Sequence, residues 1–276
     1  MTSIIRIDDP NDPRLDDYRD LNHSDTRPDL PGGKGLVIAE GSLVIPRLLE
    51  SRFPVRSILG FQPKLDSLLA ALGDAGANDV PVYEVTREVL AEVAGFDMHR
   101  GLVAAADRAP EYSVGEVVDG ASTLCILEGV GDHENIGSIF RNAAGLGIDG
   151  VLFGAGCADP LYRRVVRVSM GHVLRLPYAH MEGKTTNWQH GLAYLQEKGF
   201  QIIALTPNPE AANLQDVIDP TKKTAILVGA EGPGLTEHAM RATDVRARIP
   251  MQPGTDSLNV ATAAAIGFYE ALRHRQ

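Results

Sequence analysis

The stretch STLCILEGVGDHENIGSIFRNAAGLGIDGVLFG, residues 122–154, reads as strand, loop, helix and strand. STLCILE (122–128) and DGVLFG (149–154) are continuously apolar, not alternating, the pattern of strands buried on both faces of a parallel sheet. Between them the spacing predicts a helix from about Asn135, with Ile136, Ile139, Phe140 and Ala143 on one face. Asn135, Ser138 and Asn142 fall on another face, with Arg141 beside them. Such a face either meets solvent or presents amide, hydroxyl and guanidinium groups near the strand ends, and the pattern leaves both readings open. Downstream, HVLRLPYA (172–179), FQIIALT (200–206), TAILVGA (224–230) and VRARIP (245–250) are further strand candidates, with helical patterns between most of them. The predicted class is α/β with a mostly parallel C-terminal sheet. Ligands of such sheets sit beyond the carboxyl ends of the strands, which directs attention to loops 128–135, 206–212, 230–236 and 250–258.

Toward the N-terminus a smaller α/β unit is predicted. Its strands are GLVIAE (35–40), VRSILG (55–60), VPVYEV (80–85) and GLVAAAD (101–107). Its helices are SLVIPRLLES (42–51) with Ser42 as N-cap, LDSLLAALG (65–73) closed by Gly73, and TREVLAEVAG (86–95) capped by Thr86. RAPEYSVGEVVDG (108–120) lacks periodicity and reads as a linker, and residues 8–32 are rich in Asp, Pro and Asn. The expected organisation is an acidic N-terminal extension (1–32), a small domain (33–110), a linker (111–121) and a larger domain (122–276).

Composition narrows the function classes. The chain has 276 residues, 44% hydrophobic and 22% charged, which suits two ordinary domains and excludes a disordered chain. No apolar run approaches the roughly 18–20 residues needed to span a bilayer, and the N-terminal MTSIIRIDDPNDPRLDDYRD lacks a signal-peptide core. The expected location is the cytoplasm. Cys125 and Cys157 sit in apolar stretches and read as buried small hydrophobes. The net charge of −10 gives no global basic field for nucleic acid, although eight acidic against four basic side chains in residues 1–30 account for −4 of it.

Familiar motifs mostly fail. GLGIDG (145–150) has dinucleotide-binding spacing but follows a helix and opens a strand, the reverse of what that chemistry needs; in GVGDHE (129–134) Glu134 replaces the third glycine. There is no P-loop, and no HExxH or paired CxxC to hold a metal. In VGAEGPGLTEHA (228–239) a buried strand runs into a glycine-rich turn carrying Glu231, with Thr236 placed to cap the next helix. This is either a tight turn with an exposed Glu or a loop shaped around a ligand. In RIPMQPGTDSLNVATAAAIGFYEAL (248–272) Ser257 is the candidate N-cap of a thin, alanine-rich helix beginning Leu258-Asn259-Val260, preceded by a long polar loop, 251–257.

Together and in order, NIGSIFRNA, then GAEGPGL, then IPM followed by SLNVA resemble the three motifs of the SpoU (TrmH) family of RNA 2′-O-ribose methyltransferases, within the SPOUT class. CADPLYRRVVRVSMGHVLRLP (157–177) resembles the family's linking segment, and residues 36–107 are similar to its N-terminal RNA-binding domain, which is like ribosomal protein L30e. DDYRDL (16–21) resembles a common extension. The resemblance implies a deep trefoil knot in the C-terminal sheet, a homodimer with the active site near the subunit interface, and S-adenosylmethionine as cofactor. It implies that Leu205, Thr206, Gly229, Gly234, Ile249, Met251 and Leu258 hold that cofactor, largely through backbone groups. It assigns the catalytic set to Arg141, Asn135, Glu231, Ser257 and Asn259. Arg141 would contact the target nucleotide and either assist deprotonation or stabilise the developing alkoxide. Asn135 would position Arg141 or the nucleotide, and Glu231 would orient the arginine or the substrate. Ser257 and Asn259 would hold the ribose and the methionine end of the cofactor. Arg167, Ser169 and His172 are further candidates for RNA or interface contacts.

The expected partner is RNA, ribosomal ahead of transfer RNA, recognised through a local patch drawn from Lys34, Arg47, Arg52, Arg56, Lys64, Arg100, Arg163 and Arg164. Neither membrane nor metal is expected. Three other readings compete: a non-catalytic RNA-binding or assembly factor on the same fold, a base methyltransferase, and a nicotinamide-dependent oxidoreductase. The intact set of Asn135, Arg141, Glu231, Ser257 and Asn259 argues against the first, the motif set against the second, and the failed glycine fingerprint against the third.

Overall fold

A computed structural model describes residues 3–24, 35–73, 77 and 79–273. In chain order its first elements are β1 (Ile4–Arg6), α1 (Leu21–Ser24), β2 (Leu36–Glu40), α2 (Val44–Leu49), β3 (Val55–Gly60), α3 (Gln62–Leu72), β4 (Val82–Glu84), α4 (Arg87–Ala94) and β5 (Leu102–Asp107). They are followed by α5 (Val114–Val118), β6 (Thr123–Glu128), α6 (His133–Gly145), β7 (Gly150–Phe153), α7 (Arg163–Val168), β8 (Tyr178–His180), α8 (Leu192–Glu197) and β9 (Phe200–Leu205). The last are β10 (Ala212–Asn213), β11 (Lys223–Gly229), α9 (Glu237–Arg241), β12 (Val245–Arg248) and α10 (Val260–Arg273). The chain forms two compact units, Met1–Pro110 with Pro160–Arg175, and Glu111–Asp159 with Leu176–Gln276. No described helix is long and apolar enough to cross a membrane.

The first unit carries a five-stranded sheet in the order β1-β4-β3-β5-β2, in which β5 runs antiparallel to β3 and β2. The predicted strands and the helices closed by Gly73 and capped by Thr86 are present. The expected cap at Ser42 is not: α2 starts at Val44 with Leu43 in the cap position and no side-chain cap bond. The stretch set apart as an acidic extension is, over residues 3–24, part of this unit. β1 adds to the sheet edge beside β4, and Ile7, Leu15, Tyr18 and Leu21 are buried in the core. The Tyr18 hydroxyl sits 2.7 Å from Ser57 Oγ and donates to Ser57 O (2.9 Å), and burial pushes its ionisation well above that of a free phenol.

The linking segment also belongs to this unit over 160–175, although the sequence grouped it with the larger domain. Its anchor is a buried ion pair. Arg163 Nη1 donates to Glu40 Oε1 at 2.5 Å, and the guanidinium lies 4.8 Å from the centroid of Phe96.

The second unit carries a seven-stranded, wholly parallel sheet in the order β10-β12-β9-β11-β6-β7-β8. β6, β9 and β11 are the continuously apolar runs, and all three sit in the middle of the sheet, covered on both faces. Two expectations change. The predicted strand 172–179 is a strand only from Tyr178; Gly171, in a left-handed conformation, opens a 3-10 turn at 172–174 before Pro177. The expected linker 111–121 holds α5, closed by a capping box between Ser113 and Glu116, with Val117 and Val118 buried in the core of this unit.

Replacing Arg163 with Met leaves the Glu40 carboxylate buried without its cation. Loss of about 3–5 kcal/mol from the first unit is expected, read as an earlier denaturant-unfolding transition. Glu40→Gln in the same chain should restore part of it; a single variant as stable as the parent would remove the ion pair from the account.

Candidate active site

Beyond the carboxyl ends of β9, β11 and β12 lies a cavity of about 440 Å³, within the roughly 300–1,000 Å³ of small-molecule sites. Leu205 and Thr206 at the end of β9, Gly229, Glu231 and Gly234 after β11, Ile249 and Met251 after β12, and Ser257, Leu258 and Asn259 before α10 all line it. All seven residues expected to hold the cofactor, and three of the five in the expected catalytic set, therefore meet at one place.

The glycine-rich turn after β11 folds back on itself. Gly234 N donates to Ala230 O (3.0 Å), and Gly232 and Gly234 have φ of 85° and 70°, where other residues are strained. Gly229 answers a different need. A Cβ there would lie 2.5 Å from Gly234 C and Leu235 N, so the close approach of the turn to the strand end requires its hydrogen. Thr236 caps α9 as predicted, its Oγ1 accepting from Ala239 N (3.1 Å).

The opening of α10 differs from expectation. Its cap is Asn259, not Ser257: Asn259 Oδ1 accepts from Ala261 N (2.9 Å) and Thr262 N (3.1 Å). Its Nδ2 donates to Asn135 Oδ1 (2.7 Å) and Glu231 Oε1 (3.0 Å). One amide thus starts a helix and joins the three motif segments. Ser257 is exposed on the rim.

The polar face of α6 turns toward α10 rather than toward water. Asn135 is 8% exposed, and Asn142 Nδ2 donates to Ala261 O (3.2 Å). α6 begins at His133, capped by Asp132, two residues earlier than predicted. Arg141 does not join the cluster. It lies six residues beyond Asn135, about 9 Å along the helix, exposed and without a hydrogen bond or ion pair among the described residues. Of the linking-segment candidates, Ser169 is buried and bonds Val166 O (3.1 Å), while Arg167 and His172 are half-buried.

One residue of the site region escaped the sequence reading. Glu128, the last residue of β6, is 2% exposed. Its Oε1 accepts from Trp188 Nε1 (2.8 Å), Gln189 Nε2 (3.3 Å) and Thr236 Oγ1 (2.9 Å), and its Oε2 accepts from Thr236 N (2.8 Å). This carboxylate fixes the far end of the cavity turn. The available signal was a single acid closing an otherwise apolar strand. The thiols stay inert: burial pushes Cys157 up to about 11 and Cys125 higher still.

The chain matches the SpoU rRNA Methylase family over residues 122–269. An uncharacterized tRNA/rRNA methyltransferase of Mycobacterium tuberculosis is 57% identical over 267 residues, 96% of this chain and 90% of that protein. The 23S rRNA (guanosine-2′-O-)-methyltransferase RlmB of Bordetella pertussis is 32% identical over 199 residues, 71% of this chain and 79% of the relative. Among solved structures, an AdoMet-bound rRNA methyltransferase from Sinorhizobium meliloti superposes with a TM-score of 0.78 at 25% identity, covering 99% of both chains.

Glu128→Ala orphans the buried Trp188 and Thr236 donors, at about 1–3 kcal/mol for each group left unsatisfied. A lower urea midpoint is expected, together with a red-shifted emission of Trp188, the sole tryptophan. Unchanged emission and midpoint would show that the carboxylate holds nothing in place.

Proposed function

We propose that this chain, which belongs to the SpoU rRNA methylase family, methylates a ribose 2′-hydroxyl of RNA with S-adenosylmethionine as donor. The observation that carries this reading is the cavity at the strand ends, lined by every residue the motifs assign to the cofactor. Its chemistry fits that group. Leu205, Leu235, Ile249 and Leu258 offer apolar walls for a flat base, the glycine turn offers bare backbone, and Glu231 and Asn259 offer polar groups for an amino-acid end. When bound, S-adenosylmethionine supplies an electrophilic methyl group on a sulfonium.

The residues of the chain do the rest. The Asn135–Asn259–Glu231 bridge holds the cavity mouth in one geometry before substrate arrives, so little reorganisation remains for the reaction. As the new C–O bond forms, the methyl would leave the sulfonium, which becomes a neutral thioether, and the hydroxyl proton would pass to water. Arg141, cationic and without an acid partner among the described residues, is suited to hold the developing alkoxide and the neighbouring phosphate. Its exposure away from the cavity supports the homodimer expected of the family, in which Arg141 of one protomer completes the site on its partner. The C-terminal sheet is taken to carry the family's knot, and ribosomal RNA is the favoured substrate, in the cytoplasm.

The test is transfer of labelled methyl from S-adenosylmethionine into separated ribosomal and transfer RNA, followed by nucleoside digestion. A 2′-O-methylnucleoside in the ribosomal fraction is expected; a methylated base would overturn the ribose assignment. Arg141→Ala should cut the rate by on the order of 10²–10³-fold while S-adenosylmethionine affinity, read by calorimetry, is kept. Gly229→Ala should do the opposite, abolishing cofactor binding because the turn has no room for the methyl. Mixing Arg141→Ala with Glu231→Gln protomers should recover activity that neither has alone; no recovery would place Arg141 and the cavity it serves in one protomer.

A further inference from the structure

The cavity of the second unit is electrically one-sided. Of the described residues that line it, Glu231 alone is ionisable; the others are apolar, glycine or neutral polar. The cations that adjoin its walls in sequence are engaged elsewhere. Arg241, beside Met240, and Arg246 reach Glu237 at 3.2 and 3.0 Å, and Arg248, beside Ile249, donates from Nε to Asn213 Oδ1 (3.1 Å). The first amides of α9 and α10, the other positive groups at its edge, are met by Thr236 Oγ1 and Asn259 Oδ1. A second acid, Glu128, is buried against Thr236 at the end of the glycine turn.

Glu231 itself is only half committed. Its Oε1 accepts from Asn259 Nδ2 (3.0 Å), and its Oε2 has neither a hydrogen-bond donor nor a cation among the described residues. An exposed carboxylate without a counter-ion, on a cavity without a cation, favours a ligand that carries positive charge. The charge of the proposed ligand changes in the reaction. S-adenosylmethionine has a sulfonium, an ammonium and a carboxylate, and so one net positive charge. When its methyl group moves to the ribose oxygen, the S–C bonding pair stays on sulfur and the hydroxyl proton goes to water. The product, S-adenosylhomocysteine, is a thioether with no net charge. The amino-acid end is the same in both forms, so the sulfonium alone separates them electrically.

We propose that Glu231 makes the cavity discriminate by charge, holding S-adenosylmethionine more tightly than the S-adenosylhomocysteine left after transfer. The carboxylate is then a specificity-determining group, and methyl transfer removes the charge by which it holds the ligand. The proposal rests on the methyl-transfer reading and deepens it, adding a preference between the two forms of the cofactor. One unit charge beside a solvent-exposed carboxylate corresponds to a difference in affinity of about five- to tenfold.

The test is titration calorimetry of the full chain with three probes: S-adenosylmethionine, S-adenosylhomocysteine, and sinefungin, an analogue in which an amine-bearing carbon, cationic at neutral pH, replaces the methylated sulfur. The parent should bind both cationic probes about five- to tenfold more tightly than the neutral product. That margin should shrink as salt shortens the screening length from about 30 Å at 0.01 M to about 3 Å at 1 M. Glu231→Gln, whose amide oxygen still accepts from Asn259, should bind all three alike. Its affinity for S-adenosylhomocysteine, kept at the parental value, serves as the folding control. A parent that binds donor and product alike, or a margin that survives in the variant, would overturn charge selection while leaving the methyl-transfer reading intact. So would sinefungin binding no tighter than the product, because the margin would then come from contacts with the methyl group. If the variant binds no probe, the salt series of the parent decides, and a margin unmoved by salt overturns the proposal. A parent that binds none of the three would overturn both readings.

Discussion

A carboxylate at 2% exposure is held in the second unit by four donors, and the wall of the cavity depends on it. Burying an ionised acid is costly unless its lone pairs are occupied. Glu128 meets that demand with an indole, a carboxamide, a hydroxyl and a backbone amide from two other segments of the unit. The consequence is positional. Thr236 starts α9 and ends the glycine turn, so fixing its amide fixes where the turn must return after Gly229. Trp188 is fixed at the same time, its ring lying across Gly154, where a Cβ would come within 2.8 Å of the indole. One carboxylate at the end of a central strand therefore fixes where the glycine turn that lines the cavity ends.

The mouth of the cavity obeys the same logic with a neutral group. A helix leaves its first amides unpaired, and α10, opening with alanines and valine, has little of its own to satisfy them. Asn259 satisfies two of them with its oxygen, and its NH₂ group is then oriented toward Asn135 and Glu231. Small residues let α10 approach closely: a Cβ on Gly267 would meet Ile226 at 3.0 Å and Leu205 at 3.2 Å. The alanine-rich composition that makes the helix thin thus brings its capped end over the strand ends.

The parts legible in the sequence were those where one physical demand dominates. β6, β9 and β11 are covered on both faces, so their residues are apolar without alternation, and their extents were read to within a residue or two. β1 and the segment around Tyr18 were hidden because the residues between the buried ones are acidic, and composition spoke louder than the four positions that face the core. Caps were legible where the hydroxyl does local work, as at Thr86 and Thr236, and illegible where tertiary partners decide, as at Asn259 over Ser257. The site was legible as a set of loops; the Asn135–Asn259 bond, across 124 positions, was not, because pairing of two amides leaves no periodic trace.

The two halves of the proposed chemistry are built differently. Around the cavity the polar groups satisfy one another: Asn135, Asn259 and Glu231 are bonded before any ligand arrives, and Glu128 behind them is fully engaged. Groups committed in this way cannot swing to meet a substrate, but they hold a small molecule in one pose at little entropic cost. Arg141, Lys64 and Arg100 are the reverse: exposed cations without acid partners among the described residues, in a protein that is acidic overall. An unpaired guanidinium in water contributes little to folding, whereas one that meets phosphate on binding contributes through counterion release and charge-assisted hydrogen bonds. The rigid, self-satisfied groups thus surround the place proposed for the small cofactor, and the exposed cations are left open to a polyanion. That is the division of labour expected when the methyl donor must be held still and the RNA must be gripped and then released.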